Sequence, residues 1–277
     1  MATTEAEVVV PKTKGRLSVP EWLLPFGTRT SNQMIVFRLL CAAVIFLGWQ
    51  LLSGALIPGP LDTLQGIGTL FQKGLHEYYI ESLITLVTSL VLGFVFSVVF
   101  AHLGTIPFFR PYAEFVGSLR VLSMAPLVMW AVFLGIQGNE RKIGLMVLFI
   151  TAYSVPSILQ IFDAISEKEK DYYRTLRCSP LMAWWQMTVR ARMPQVIAVY
   201  VINMGMAINM LPALEALLKT QGGIGVLIGS AERDMNFTEI MAGTVILLAS
   251  GWLIFKLTIL AVAWKWPKAW AKINGGK

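Results

Sequence analysis

Residues 82–103 read SLITLVTSLVLGFVFSVVFAHL, and this run decides the class of fold. A helix that crosses the hydrocarbon core of a bilayer needs about 20 mostly apolar residues, and the run meets that length. Thr85, Thr88, Ser89 and Ser97 give it a mixed surface. Residues 143–161 form a second run of the same kind. Working outward, residues 35–56, 112–135, 194–218 and 240–264 supply four more, so the sequence predicts about six spanning helices. Two of these are interrupted. Residues 112–135 contain Arg120 and Pro126, and residues 194–218 contain Pro212 and Glu215, with a break expected at Pro212. Helix breaks persist in membranes only where neighbouring protein or water satisfies the freed backbone groups.

Composition agrees with the runs. Of the 277 residues, 56% are hydrophobic and 14% charged, and the mean hydropathy is +0.64. Soluble domains carry about 25% charge, so the apolar surplus suits a chain whose solvent is lipid. The net charge of +7 does not indicate nucleic acid, because the basic residues lie between apolar runs rather than in one patch. Cys41 and Cys178 form no disulfide framework. Residues 1–33 are polar and precede a long apolar run, unlike a cleavable signal with its short apolar core.

The connections differ in length and charge. Residues 58–81 are moderately polar with room for a short interfacial helix, and residues 104–111 and 137–142 are short loops. Residues 163–193 are long, charged and helical in pattern, and residues 219–239 contain Gly222, Gly223 and Gly225. With the N-terminus in the cytoplasm, the inner connections and termini carry fifteen lysines and arginines against five outside. Membrane proteins concentrate these residues in the cytoplasm. The bias therefore places both termini and residues 163–193 inside, with Trp264, Trp266 and Trp270 at the inner interface. The expected divisions are a cytoplasmic segment 1–33, a transmembrane domain 34–265 and a basic cytoplasmic tail 266–277.

Residues 163–193 read as a helix, a turn near Ser179 and Pro180, and a second helix that enters the membrane at Pro194. Ser179 suits an N-cap and Pro180 the first helical position. A compact helical projection rich in basic and aromatic residues suits docking into a groove on a partner.

This segment resembles the EAA loop of ABC importer permeases. Asp171, Tyr172 and Tyr173 take the first three motif places, and Arg174, Thr175 and Leu176 match a common continuation. Met193 and Pro194 take the Leu-Pro place, and Arg177 stands where the family has Gly. The loss of that Gly is expected to change the turn, since Gly tolerates backbone angles that Arg does not. Other stretches are similar to the nitrate, sulfonate, taurine and bicarbonate branch. These are Arg120, Val121 and Leu122 with Pro126, then Gly135 and Ile136, and Glu215 followed by Gly223-Ile224-Gly225-Val226-Leu227-Ile228. The similarity covers about residues 35–265. It implies an all-α polytopic permease of the type I importer fold. It also implies that two permease copies, as a homodimer or pseudo-symmetric pair, form the pathway. ABC ATPase subunits holding ATP and Mg would dock on the cytoplasmic loops, and an extracytoplasmic substrate-binding protein would deliver a small solute such as nitrate, bicarbonate or a sulfonate. The coupling residues carried over are Asp171, Tyr172, Tyr173, Arg174, Thr175, Leu176, Arg177, Ser179 and Pro180.

Ionisable groups inside spans are costly and often functional. Arg120 and Lys256 would attract an anion to the inner half of a pathway, or their stems would snorkel to the interface. Glu215 would line the pathway, pair with a buried basic group, or meet water at the outer end. Asn209, with Asn203 on the same helix, would contact substrate or bond between helices. Arg120, Asn209, Glu215 and Lys256 are the candidate pathway residues. Met204, Met206 and Met210 read as packing, and His76 and His102 lack zinc spacing. Gly222, Gly223 and Gly225 lack the Lys and Ser/Thr of a phosphate loop. With no catalytic residue and no metal or cofactor site expected, the chain reads as a transport subunit rather than an enzyme. A gradient-driven carrier would show a repeated architecture, which the sequence lacks. A membrane scaffold would keep the docking loop without a polar pathway.

Overall fold

The computed structural model of the protein describes residues 31–54, 57–218, 222–265 and 267. Apart from residues 31–33 and 267, the expected N-terminal segment and basic tail lie outside the described residues, as do Trp266 and Trp270. The described residues form eleven α-helices and no strand. α1 (Ser31–Leu52) belongs to a unit of its own, and the chain from Gly54 onward forms a second. α1 is mostly apolar, with Arg38 its one charged residue, and is long enough to cross a bilayer.

The second unit holds α2 (Pro60–Gln72), α3 (Leu75–Leu103), α4 (Arg110–Ser118), α5 (Met124–Phe133), α6 (Gly138–Asp163), α7 (Glu167–Thr175), α8 (Pro180–Trp185), α9 (Met193–Leu218), α10 (Ile224–Arg233) and α11 (Phe237–Lys265). In it α3, α6, α9 and α11 are each long and apolar enough to span, and α4 with α5 makes one further span if the pair is taken together.

Pairwise contacts fix the direction of each span. At one end of α3 and α6, Lys142 Nζ donates to Glu81 Oε1 at 3.1 Å. At the other, the rings of His102 and Phe162 lie 4.8 Å apart. In between, a Cβ on Gly93 would stand 2.6 Å from Ile150 Cγ2, so the backbones pack closely. α3 and α6 are therefore parallel, and the chain must return across the bundle between them. α4 and α5 make that return. Arg110 bonds Asp163 at the C-terminal end of α6, Gly117 lies against Pro156, and Ala131 shares a buried cluster with Leu145 and Met146 near the N-terminal end. α9 runs opposite to α3, with Tyr200 Oη donating to the Leu90 carbonyl at 2.6 Å and Ser82 bonded to Glu215. α11 starts beside α2, where Lys73 Nζ meets Glu239 at 2.6 Å, and passes Ile208 at Gly251.

The return span is broken, and Pro126 explains where. Its missing N–H and its ring exclude a helical bond to the Leu122 carbonyl four residues back. Leu122 and Ser123 accordingly turn extended after a 3-10 turn at Leu119–Val121. The axes of Arg110–Val121 and Pro126–Phe133 meet at 113°.

Three expectations need correction. α9 is continuous through Pro212. α10 and α11 press on this stretch, with the Pro212 carbonyl against Gly225 and Ile208 against Gly251, and such packing sustains helices that contain proline. α3 begins at Leu75, because two polar turns carrying His76, Glu77 and Glu81 extend the apolar run. Residues 138–142 are the first turn of α6 rather than a loop, with Gln137 extended ahead of it and Glu140 suited to the helix dipole.

Candidate functional site

At the end of the bundle holding the α3 and α6 C-termini, residues 163–193 fold back as a helical hairpin. Ser166 caps α7, its Oγ accepting from the Glu169 amide. Ser179 caps α8, accepting from the Met182 amide, and Pro180 fills the first helical position. α8 passes through a π-helical turn (Gln186–Arg190) toward α9. Two ties hold the hairpin to the bundle. Trp184 Nε1 donates to Thr105 Oγ1 at 2.7 Å, and its ring stands edge-on to His102 at 5.6 Å. Arg192 at the entrance to α9 donates to both Glu169 carboxylate oxygens, at 2.9 and 2.8 Å.

The outer surface of the hairpin is amphipathic. Lys170 pairs with Glu167 at 2.7 Å and Arg174 with Asp171 at 2.8 Å. Between them Tyr172, Leu176, Leu181, Met182 and Trp185 are all exposed. Thr175 Oγ1 donates to the Tyr172 carbonyl at the end of α7, and Tyr173 stacks edge-on with Tyr172. A groove of about 440 Å³ runs beside them, lined by Lys168, Tyr172, Tyr173 and Arg192. Arg177 itself takes φ 51, in the left-handed region.

At the opposite end lies a polar knot that sequence reading divided among separate segments. Glu215 is fully buried. Ser82 Oγ donates to its carboxylate, at 2.8 and 2.9 Å to the two oxygens, and accepts the Ile224 amide at 2.8 Å. Gly225 N–H donates to Glu215 Oε2 at 2.9 Å. The carboxylate thus satisfies the amide end of α10, where the helix dipole favours negative charge. Beside it Lys142, also fully buried, bonds Glu81 and the Gly222 carbonyl, the latter at 3.3 Å. Gly222 and Gly223 both take positive φ, and a Cβ on either would collide with Glu81 or Glu215. The sequence places Lys142 in a short loop and gives Ser82 no role beyond a polar residue at the start of a span. The Gly225 amide lies only ten residues beyond Glu215, within the stretch the sequence already singles out, whereas Ser82 and Glu215, and Glu81 and Lys142, come from helices distant in sequence, which no local pattern reveals.

Along α9, α10 and α11 runs a cleft of about 550 Å³. Asn209 lines it with Pro212, Glu232, Thr244 and Trp252. Lys256 stands 5.9 Å from the centroid of the Trp252 ring. Of the four candidate pathway residues, Asn209 lines the cleft, and Lys256 is near it only through Trp252. Glu215 lies behind it in the knot, and Arg120 occupies the break between α4 and α5.

Residues 105–268, the stretch from the end of α3 through α11 that contains the hairpin, match the family of binding-protein-dependent transport system inner membrane components. The chain belongs to that family. It is a permease subunit of an ABC transporter, a multi-pass inner-membrane protein, and such permeases work with an ATPase and a substrate-binding protein. A comparison with curated proteins finds no match. The permease is a transport subunit rather than an enzyme, so its site is read for docking and passage instead of bond chemistry.

Proposed function

We propose that the permease is half of an ATP-driven importer for a small anion, working as a pair of copies. ATP and Mg are held by separate ATPase subunits, and an extracytoplasmic binding protein delivers the solute. The α7–α8 hairpin, Asp171 to Pro180, is the ATPase dock on the cytoplasmic face, and both termini lie on that side. The observation that carries this reading is the hairpin itself. Its exposed side is amphipathic, while Trp184 and Arg192 tie it to the ends of α3 and α9. A push on the hairpin therefore reaches two spans directly.

The cleft beside Asn209 and the break at Arg120 are the proposed parts of the passage. Lys256 and Arg120 supply positive potential for an anion, and a charge in a low-dielectric wall acts over longer range than in water. Glu215 serves the passage by holding α10 in place rather than by meeting the solute. Nitrate, bicarbonate and a sulfonate are the candidate cargoes, following the branch that the sequence resembles.

The test is uptake into proteoliposomes that carry the permease, its ATPase and its binding protein, with ATP supplied on the ATPase side. Labelled nitrate, bicarbonate and taurine are compared, and Asn209→Ala and Lys256→Gln are assayed alongside. Uptake of one anion that requires ATP and falls in both variants supports the reading. ATP-independent uptake, or ATP-dependent uptake of cations only, contradicts it.

A further inference from the structure

Arg177 stands in the turn between α7 and α8 with φ 51. Its Cβ crowds the following carbonyl in that conformation. Gly enters the region freely, and Asn or Asp enters with help from a short polar side chain. Arg brings neither advantage. The turn does not need the side chain either. The Leu176 amide donates to the Tyr172 carbonyl at 3.2 Å and the Arg177 amide to the Arg174 carbonyl at 3.0 Å, so the end of α7 closes without the Arg177 side chain.

The guanidinium is also unused within the described chain. Arg174 and Lys170 on α7 and Arg192 at the start of α9 each hold a carboxylate; Lys168 and Arg190 are exposed without one among the described residues, but neither stands in the turn. Arg177 is exposed, and its guanidinium has no hydrogen bond or ion pair among the described residues. Leu176 flanks it in the turn, and Leu181 and Met182 follow on α8, all exposed. Met235 after α10 has the same left-handed conformation at φ 53, so strain alone does not single out Arg177. Strain is a pointer to function here because the residue that bears it is a planar cation without a partner among the described residues, beside exposed apolar side chains. Apolar neighbours that exclude water strengthen a central charged contact.

We infer that the Arg177 guanidinium enters an acidic notch on the ATPase subunit and is the specificity contact of the dock, with Leu176, Leu181 and Met182 sealing its rim. This rests on the hairpin being the ATPase dock. A protein carboxylate is favoured over an anionic lipid by the position of the turn. It lies at the ends of α7 and α8 away from the two ties to the bundle, Glu169–Arg192 and Trp184–Thr105. Guanidinium and carboxylate match in a planar, two-bond geometry that an ammonium cannot reproduce.

The permease is reconstituted in neutral-lipid proteoliposomes. The ATPase subunit recovered with it from its own membranes is stripped off, and its rebinding is titrated. Arg177→Gly and Arg177→Asn, which both tolerate the turn, are expected to unfold no earlier than wild type yet bind the ATPase about tenfold or more weakly. Arg177→Lys is expected to fall between, and Arg177→Glu to bind weakest, with partial recovery by an acidic-to-Arg change on the ATPase. Unchanged binding by Arg177→Gly and Arg177→Asn would overturn the inference. So would a loss seen only in anionic-lipid vesicles, which would assign the guanidinium to the membrane. Leu181→Asp separates the two levels. If it abolishes rebinding while Arg177→Gly does not, the dock stands and the Arg177 contact is wrong. If neither matters, both fall.

Discussion

The hydroxyl of Ser82 on α3 donates to the carboxylate of Glu215 on α9, 2.8 and 2.9 Å from its two oxygens, while accepting the first amide of α10. One buried junction thus joins three helices, and the Gly225 amide completes it. Glu215→Ala would leave the Ser82 hydroxyl and the Gly225 amide without this acceptor and open a small cavity. The expected cost is about 3 kcal/mol, read as a lower unfolding midpoint of the permease in detergent. Glu215→Gln keeps an acceptor oxygen and should lose less. Equal midpoints for wild type and the Ala variant would remove the junction from the list of structural supports.

Lys142 offers a second test at the same end. Its side chain is 1% exposed and that of its partner Glu81 34%. Taking one member from a buried pair strands the other, at about 3–5 kcal/mol for a fully buried pair. The partial exposure of Glu81 reduces this, so Lys142→Ala should cost about 2 kcal/mol. The exchange of both residues, Glu81→Lys with Lys142→Glu, should recover part of the loss. A double variant less stable than the sum of the two single changes would argue against a direct pair.

Gly223→Ala is expected to be among the most damaging small changes in the chain. The residue has φ 107, and its new Cβ would collide with Glu215. Gly144 is the control, because a Cβ there meets no heavy atom within 4 Å. Gly144→Ala in α6 should stabilise by about 0.5–1 kcal/mol. Thermal unfolding of the two variants side by side reads the difference, and similar midpoints would contradict it.

Trp184→Phe tests whether the hairpin passes motion to α3. Phenylalanine keeps a ring beside His102 but has no N–H for Thr105 Oγ1, a bond whose net value is about 1 kcal/mol. The expected result is near-normal ATPase binding and hydrolysis with less solute moved per ATP. Thr105→Val, which removes the acceptor instead, should match it. Unaltered transport per ATP in both variants would show that the tie carries no motion.

The spans were legible because lipid demands long apolar runs, and residues 82–103 and 143–161 satisfy that demand on their face. The hairpin was legible for a different reason. Ser179 and Pro180 are local capping signals whose meaning does not depend on distant residues. Ser82 as the partner of Glu215, and Glu81 as that of Lys142, were hidden, since each is brought in by packing between helices far apart in sequence. Pro212 misled because the sequence shows the lost amide but not the pressure of α10 and α11 that keeps α9 whole. At Arg177 the sequence showed an Arg in a Gly place. Only the backbone revealed that Arg177 there adopts a left-handed conformation.

The most direct measurement is purification of the tagged permease from gently solubilised membranes, with and without replacement of residues 171–177 by a Gly/Ser stretch, followed by assay of ATP hydrolysis. A stoichiometric nucleotide-binding subunit with ATPase activity should accompany the unaltered chain and be lost with the replacement. A chain that purifies alone, with no hydrolysis even after crosslinking in the membrane, would contradict the importer reading and leave a permease that works without this dock.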